Sequence, residues 1–155
     1  MMTSAMANEF PVNPLKALLG YGQSVWLDFI RRSLITSGEL GRLVEEDGLR
    51  GVTSNPSIFE KALVGSTDYQ DILAAPKYRD YDAKALYETI AMRDVRDAAD
   101  ILRPIYESSK ARDGYVSLEV SPALAHDTEG TLDEARRLWN TAARPNLMIK
   151  VPGTP

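Results

Sequence analysis

The sequence predicts an α/β fold, a (β/α)8 TIM barrel of which these 155 residues cover about the first four strands. Strand-like and helix-like segments alternate, which is typical of parallel strands joined by helical crossovers. Each strand-like segment has one apolar and one polar face, as a barrel with helices outside and a polar lumen requires. The charged residues of these segments lie near the carboxyl ends of the strands, where barrel enzymes carry their active sites. A complete barrel needs eight strands and about 250 residues.

The composition narrows the classes of function. With 44% hydrophobic and 26% charged residues, it is typical of a soluble globular protein. The net charge of -4 argues against a broad surface for nucleic acid or anionic membrane. The chain has no cysteine and one histidine, His126, which excludes disulfides, a cysteine nucleophile and histidine-rich metal sites. The first residues lack the pattern of a secretory signal and no run has the length of a membrane span, so a cytoplasmic location is the default expectation.

Four segments have the pattern of strands: residues 24–30, 51–55, 115–120 and 147–151. Alternate residues of a strand face opposite sides of the sheet. We therefore expect one set of side chains to pack under helices: Val25, Leu27, Val52, Leu118, Val120, Leu147 and Ile149. The opposite face should carry the polar set, in which the functional candidates are Asp28, Thr53, Asn55, Glu119 and Lys150.

Helix signals lie between these strands. Residues 1–12 are expected to be disordered, and a short helix is predicted over residues 13–19 with an Asn-Pro start. Thr36 and Glu39 form the pattern of a capping box for a helix that ends at Gly48. A second Asn-Pro pair, at residues 55 and 56, starts a helix that ends at Gly65.

The second half of the chain continues the alternation. Residues 66–82 are polar and predict a short helix and a surface loop. Apolar residues at helical spacing then predict a helix over residues 86–105, which Pro104 should kink or restart. Thr131 and Glu134 predict the start of another helix, whose expected buried face is Leu132, Ala135, Leu138, Trp139 and Ala142.

Three strand-like segments each contain one charged residue among apolar neighbours: Asp28, Glu119 and Lys150. A lysine in such a run is tolerated where its charge is useful or where its amine acts as a nucleophile. One amine and two carboxylates on a common face predict imine chemistry on a carbonyl substrate.

Each of these residues also has an ordinary structural interpretation. Lys150 could extend its ammonium group to solvent along the strand. Asp28 could pair with Arg31 or Arg32, and Glu119 could be a solvated edge residue. Asn55 before a proline is a good helix N-cap in its own right. His126 lies in a polar segment, which favours a solvated side chain over a catalytic one.

Four motifs occur in order at half-barrel spacing: W-L-D at residues 26–28, G-V-T-S-N-P-S-I-F at 51–59, V-S-L-E-V-S-P at 116–122 and M-I-K-V-P-G-T at 148–154. Together they resemble transaldolase, the class I Schiff-base family of the non-oxidative pentose phosphate pathway. The resemblance covers residues 13–155 and implies that they form the N-terminal half of a transaldolase-type barrel.

The resemblance implies a role for each site candidate. Lys150 corresponds to the Schiff-base lysine. Asp28 corresponds to the aspartate that handles the proton of the ketose hydroxyl during carbon–carbon cleavage. Glu119 corresponds to the glutamate that serves carbinolamine formation and breakdown with a water. Asn55 corresponds to an asparagine that binds the three-carbon unit, and Thr53 lines the same pocket.

The resemblance also implies the ligands. A transaldolase, which is a transferase of carbohydrate metabolism, moves a dihydroxyacetone unit between sugar phosphates: fructose 6-phosphate, sedoheptulose 7-phosphate, erythrose 4-phosphate and glyceraldehyde 3-phosphate. No metal or cofactor is expected, nor a nucleic-acid or membrane partner, and a homo-oligomer is compatible with the sequence. Two alternatives stay open: a fructose-6-phosphate-type aldolase of the same family, and a non-catalytic half-barrel that binds a partner.

In the family, further substrate contacts and the phosphate site come from strands beyond these four. We therefore expect the isolated fragment to be inactive and to dimerise or aggregate through its unpaired strand edges. Some relatives carry a phosphosugar isomerase domain downstream, which this sequence leaves open.

Overall fold

The computed structural model describes residues 13–154, so the expected disorder of residues 1–12 lies outside the described residues. Within the described part, one parallel sheet has four strands, β1 (Val25–Leu27), β2 (Leu49–Thr53), β3 (Tyr115–Glu119) and β4 (Leu147–Lys150). Their spatial order is β1-β2-β3-β4, the same as their order in the chain. The α/β class and the parallel sheet are confirmed, and the arrangement is that of the first half of a (β/α)8 barrel.

Helices connect the strands. They are α1 (Pro14–Ala17), α2 (Arg32–Thr36), α3 (Glu39–Glu46), α4 (Pro56–Gly65), α5 (Gln70–Leu73), α6 (Ala83–Ser108) and α7 (Thr128–Ala142). Short 3₁₀ turns cover Leu18–Tyr21, Pro76–Tyr78 and Pro122–Leu124. No helix among residues 13–154 is long and apolar enough to cross a membrane.

The core lies between one face of the sheet and the helices, as the alternation predicts. Val52, Leu118, Val120 and Leu147 are buried in the main apolar cluster, and Val25, Leu27 and Ile149 pack against it. The main helical contributors are Leu40 of α3, the face of α6 from Ala91 to Leu102, and Leu138 of α7. The predicted assignment of these strand residues to the helix-covered face is confirmed.

The register of the sheet shows which residues lie side by side on the opposite, polar face. Gly51 is paired with Tyr115, Thr53 with Ser117, and Glu119 with Lys150. On β1, the indole of Trp26 lies on the backbone of β2, where a Cβ on Gly51 would overlap its ring. The polar face of the two central strands therefore carries the small residues Gly51, Thr53 and Ser117 beside the larger Tyr115 and Glu119.

All four strands differ in extent from their prediction: β3 and β4 each end one residue earlier, and β1 and β2 differ more. β1 has three residues where the sequence predicts seven, because the chain bends at Asp28. β2 begins at Leu49, directly after the left-handed Gly48 (φ 72°) that ends the preceding helix. It stops at Thr53 because Asn55 is already the N-cap of α4.

Four details of the helices are also corrected. The capping box at Thr36 is wrong: Thr36 ends the unpredicted helix α2, where its hydroxyl donates to the carbonyl of Arg32 (3.1 Å). α7 begins at Thr128 rather than Thr131, because Asp127 caps it by accepting from the Gly130 N–H (2.9 Å). Leu132 and Trp139, predicted to be buried on α7, are 48% and 49% exposed. α6 runs through Pro104 as one helix, so it does not restart there.

Candidate active site

Lys150 lies at the centre of a polar cluster at the carboxyl end of the sheet. Its Nζ is 3.2 Å from Oε2 of Glu119. It also donates to Oγ1 of Thr53 (3.2 Å) and to the carbonyl of Ser54 (3.1 Å). One amine thus contacts a carboxylate, a hydroxyl and a carbonyl that come from β3, β2 and the residue after β2.

The cluster forms because parallel strands end at the same edge of the sheet. Glu119 and Lys150 are the last residues of β3 and β4 and are paired across the two strands. Thr53 is the last residue of β2, two strands away from Lys150. The lysine side chain spans that distance over Ser117, whose small side chain lies between them on the same face.

Hydroxyl groups fix the position of Thr53. Ser117 Oγ donates to Oγ1 of Thr53 (2.9 Å), and Ser54 Oγ donates to the carbonyl of Ser117 (2.6 Å). Both serines are buried. Because Thr53 Oγ1 accepts from Ser117 and Lys150, its own hydrogen is available to a bound ligand. Sequence reasoning missed the serines as part of the site, although alternation places Ser117 on the polar face.

The surroundings of the Lys150 amine differ from those of its neighbours in sequence. The apolar run around it predicts a costly, buried lysine, yet its side chain is 40% exposed and its ammonium group faces oxygens. Ile149 and Leu147 point to the other face, where they join the core. The pleat separates the Lys150 side chain from these apolar neighbours.

Asp28 directly follows β1 and is exposed. Within the described residues it makes no hydrogen bond or ion pair. The pairing considered for Arg32 is wrong, because Arg32 binds Asp94 instead. β1 ends at Leu27, which is paired with Val52, and Asp28 is the next residue, at the bend that follows the strand.

Asn55 is the N-cap of α4, as its structural interpretation predicts. Its Oδ1 accepts from the N–H of Ile58 (3.0 Å), which fixes the amide group at the end of β2. Among residues 13–154 its amide nitrogen donates no hydrogen bond, and the residue is half-buried. The cap therefore leaves two N–H groups of Asn55 available to a ligand at the same edge of the sheet.

A tyrosine lies on the helix side of this edge. Tyr87 of α6 and Glu119 line a common cavity of about 380 Å³, together with residues of α4 and α7. Burial raises the pKa of Tyr87 to about 12, and the charges of Glu119 and Glu88 contribute to this increase. The raised pKa keeps the Tyr87 hydroxyl protonated above the pH at which a free tyrosine ionises. His126 is exposed in the connection to α7, as predicted.

The described residues do not gather metal ligands. Among residues 13–154, no three histidine, cysteine, aspartate or glutamate side chains are close enough to hold an ion together. The groups that the structure does bring together are the amine of Lys150, the carboxylate of Glu119 and the hydroxyl groups of Thr53 and Ser117. Such a set can form and hydrolyse an imine and can bind a hydroxylated carbonyl compound.

Comparison with known proteins places these residues in a family. The sequence model of the transaldolase/fructose-6-phosphate aldolase family matches residues 25–155. A protein named transaldolase from Thiobacillus denitrificans is 52% identical over 144 residues, which is 93% of this chain and 40% of that protein. Transaldolase 2 of Nostoc punctiforme is 49% identical over 92% of this chain and 37% of its own length. A transaldolase of Neisseria gonorrhoeae is 50% identical over 92% of this chain and 40% of its own length. The chain thus spans about 40% of the length of these curated relatives.

Proposed function

The chain belongs to the transaldolase/fructose-6-phosphate aldolase family, and from this premise we propose that it carries the Schiff-base site of a transaldolase. The enzyme would transfer a dihydroxyacetone unit from a ketose phosphate to an aldose phosphate. The supporting observation is the position of Lys150, whose amine contacts both Glu119 and Thr53 at the carboxyl end of the sheet.

The proposed reaction begins at the amine. Lys150 attacks the carbonyl carbon of the ketose and forms a carbinolamine, which loses water to become an imine. Glu119, 3.2 Å from the amine, takes the proton that the ammonium group must lose before attack, gives it to the hydroxyl that leaves as water, and reverses both transfers on hydrolysis. The ion pair therefore supplies both the nucleophile and its proton partner.

Carbon–carbon cleavage needs a second base. In our proposal Asp28 removes the proton of the hydroxyl on the carbon that becomes the departing aldehyde. The electrons of the broken bond move into the imine and give an enamine on Lys150. The enamine carbon then attacks the aldehyde of the acceptor, whose oxygen takes up a proton, and hydrolysis frees the amine.

The remaining groups would bind the three-carbon unit. Thr53 has a hydroxyl hydrogen available beside the amine, and Asn55 has an amide group at the same edge. Both suit the hydroxyl groups of a dihydroxyacetone unit. The proposed donors are fructose 6-phosphate and sedoheptulose 7-phosphate, and the proposed acceptors are erythrose 4-phosphate and glyceraldehyde 3-phosphate.

Trapping of the imine tests the nucleophile. The full-length protein is incubated with fructose 6-phosphate and borohydride, and the modified peptide is identified by mass spectrometry. We expect a reduced three-carbon adduct on Lys150 that Lys150→Met abolishes. The matched control is Lys84→Met, because Lys84 is also within ion-pair distance of a glutamate (3.5 Å) but lies on α6. A label on any other lysine, or no label, would reject the proposal.

The fate of the three-carbon unit separates the alternatives. With erythrose 4-phosphate present, a transaldolase forms sedoheptulose 7-phosphate. A fructose-6-phosphate-type aldolase instead releases free dihydroxyacetone whether or not the acceptor is present. A non-catalytic binding module would show neither product and no adduct.

A further inference from the structure

A buried network lies directly after the segment that contains Asp28. Nε and Nη2 of Arg32 donate to Oδ1 of Asp94 (3.1 and 2.9 Å). The hydroxyl of Tyr69 donates to Oδ2 of the same carboxylate (2.8 Å). The guanidinium group of Arg32 also lies over the ring of Tyr69, 4.8 Å from its centroid. All three residues are buried, and they come from α2, the residue before α5, and α6.

The network caps helix α2. Arg31, at the N-cap position, provides no side-chain hydrogen bond. The N–H of Arg32 instead donates to the hydroxyl of Tyr69 (3.0 Å), and the N–H of Ser33 donates to Oδ2 of Asp68 (2.9 Å). The free N–H groups at the start of α2 are therefore satisfied by a segment more than thirty positions away, as the sequence separations of 37 and 35 show.

Asp28 lies between this network and β1. On one side, Leu27 is paired with Val52 in the sheet. On the other, Ile30 is fully buried in the core and Arg32 is held by Asp94 and Tyr69. Among residues 13–154 the exposed Asp28 makes no side-chain hydrogen bond or ion pair, so its position depends on how these two anchors fix the backbone.

Stability alone gives a weak reason for such a network. Replacing a buried ion pair with well-packed apolar residues is often neutral or stabilising, and in some proteins buried charged groups serve to specify one arrangement of the chain. The arrangement specified here is the course of the chain from Asp28 to Ser33. We propose that Tyr69, Asp94 and Arg32 are positioning residues that hold Asp28 in place for proton transfer.

This inference rests on the role proposed for Asp28. If that role holds, loosening the network should impair carbon–carbon cleavage, which needs Asp28, and should spare imine formation, which uses Lys150 and Glu119. A misplacement of about 1 Å costs on the order of a hundredfold in rate. Tyr69→Phe is the mildest change. It removes the one hydroxyl that accepts from the Arg32 N–H and donates to Asp94, and it leaves the ion pair between Arg32 and Asp94 intact.

The experiment compares Tyr69→Phe with Tyr81→Phe in the full-length protein. Tyr81 is a suitable control because it belongs to the same connection before α6 and is exposed. We expect Tyr69→Phe to lower the turnover of fructose 6-phosphate with erythrose 4-phosphate by about tenfold to a hundredfold. Borohydride trapping on Lys150 should be unchanged, and Tyr81→Phe should match the wild type in both measurements.

A double mutant tests whether Tyr69 acts through Asp28. In an Asp28→Asn background, Tyr69→Phe should change the residual turnover by less than about twofold, because the group that it positions is gone. Asp94→Asn is the second variant if Tyr69→Phe does not fold, and the same pattern is expected of it. Equal turnover for the two tyrosine variants overturns the inference, and so does a parallel loss of trapping and turnover. Absence of trapping in the wild type would instead reject the proposed function.

Discussion

The ion pair between Glu119 and Lys150 should matter far more for activity than for folding. The two side chains are 25% and 40% exposed, and their charged atoms are 3.2 Å apart. Ion pairs with this much solvent contact contribute about 0.2–1 kcal/mol to the free energy of unfolding. Glu119→Gln keeps an oxygen that can accept from Nζ, so we expect it to lower the free energy of unfolding by less than about 1 kcal/mol.

The expected effect on chemistry is much larger. A positioned general acid–base group accelerates a reaction by about 10²–10⁴-fold. Each factor of ten corresponds to about 1.36 kcal/mol of activation free energy, so the loss of Glu119 should raise the barrier to imine formation by about 3–5 kcal/mol. The amide of glutamine can keep the contact with Nζ, but it cannot exchange a proton with the leaving water. Imine formation should therefore be slow even if the side chain stays in place.

Glu88→Gln is the matched control. Glu88 accepts from Arg137 at 2.6 and 2.8 Å, and its side chain is 26% exposed, close to the value for Glu119. This variant should lose at least as much stability as Glu119→Gln, because it breaks a bidentate pair. It should form the imine at the normal rate.

Two measurements decide the comparison: urea unfolding, and the rate of borohydride-trapped adduct on Lys150. If Glu119→Gln traps the adduct within about tenfold of the wild-type rate, Glu119 does not exchange the proton as proposed. A loss of stability well above that of Glu88→Gln would show that the pair serves the fold.

Further predictions concern the backbone and pH. Gly114→Ala should destabilise the protein by several kcal/mol more than Gly22→Ala when both are compared by urea unfolding. Both glycines have a left-handed backbone conformation (φ 84° and 72°), so either change to alanine costs about 1–2 kcal/mol of stability. Of the two, only a Cβ on residue 114 would also lie 2.8 Å from backbone atoms of α6. The hydrogen bond from Arg137 lowers the pKa of Glu88 in the folded protein. The stability that this hydrogen bond contributes is therefore fully present above the pKa of Glu88 in the unfolded chain, about 4.3, and is lost as the pH falls through its pKa in the folded protein. Arg137→Gln should therefore lose less stability than the wild type between about pH 7 and pH 3 in urea unfolding. An unchanged pH dependence would mean that Arg137 is not the cause.

The faces of the strands could be predicted from the sequence because the pleat imposes a strict alternation. Once Val116, Leu118 and Val120 were assigned to the core, Glu119 had to face the other side. The same rule placed Lys150 beside it, because parallel strands of similar length end at one edge. The side of the sheet on which these residues lie thus depends on local pattern alone, which a single sequence contains.

The network around Asp94 could not be predicted in this way. Arg32 and Asp94 are 62 positions apart, and Tyr69 lies in a polar segment that predicts a surface loop, yet it is fully buried. α2 was missed for the same reason, because its N-terminal cap comes from Tyr69 and Asp68 rather than from a residue at its own start. Interactions between distant segments leave no periodic signal.

The order of the strands places a physical requirement on the proposed mechanism. Asp28 follows β1 and Lys150 ends β4, so the two residues belong to the outer strands of the sheet. Three strand spacings of about 4.8 Å would separate them by about 14 Å in a flat sheet, too far for both to act on one three-carbon unit. A sheet that curls as in a barrel brings its outer strands toward each other across the lumen. The small residues Thr53 and Ser117 on the central strands leave room there, and Lys150 already reaches across Ser117 to Thr53. The chemistry assigned to Asp28 and Lys150 therefore depends on the curvature of the sheet as much as on the residues themselves.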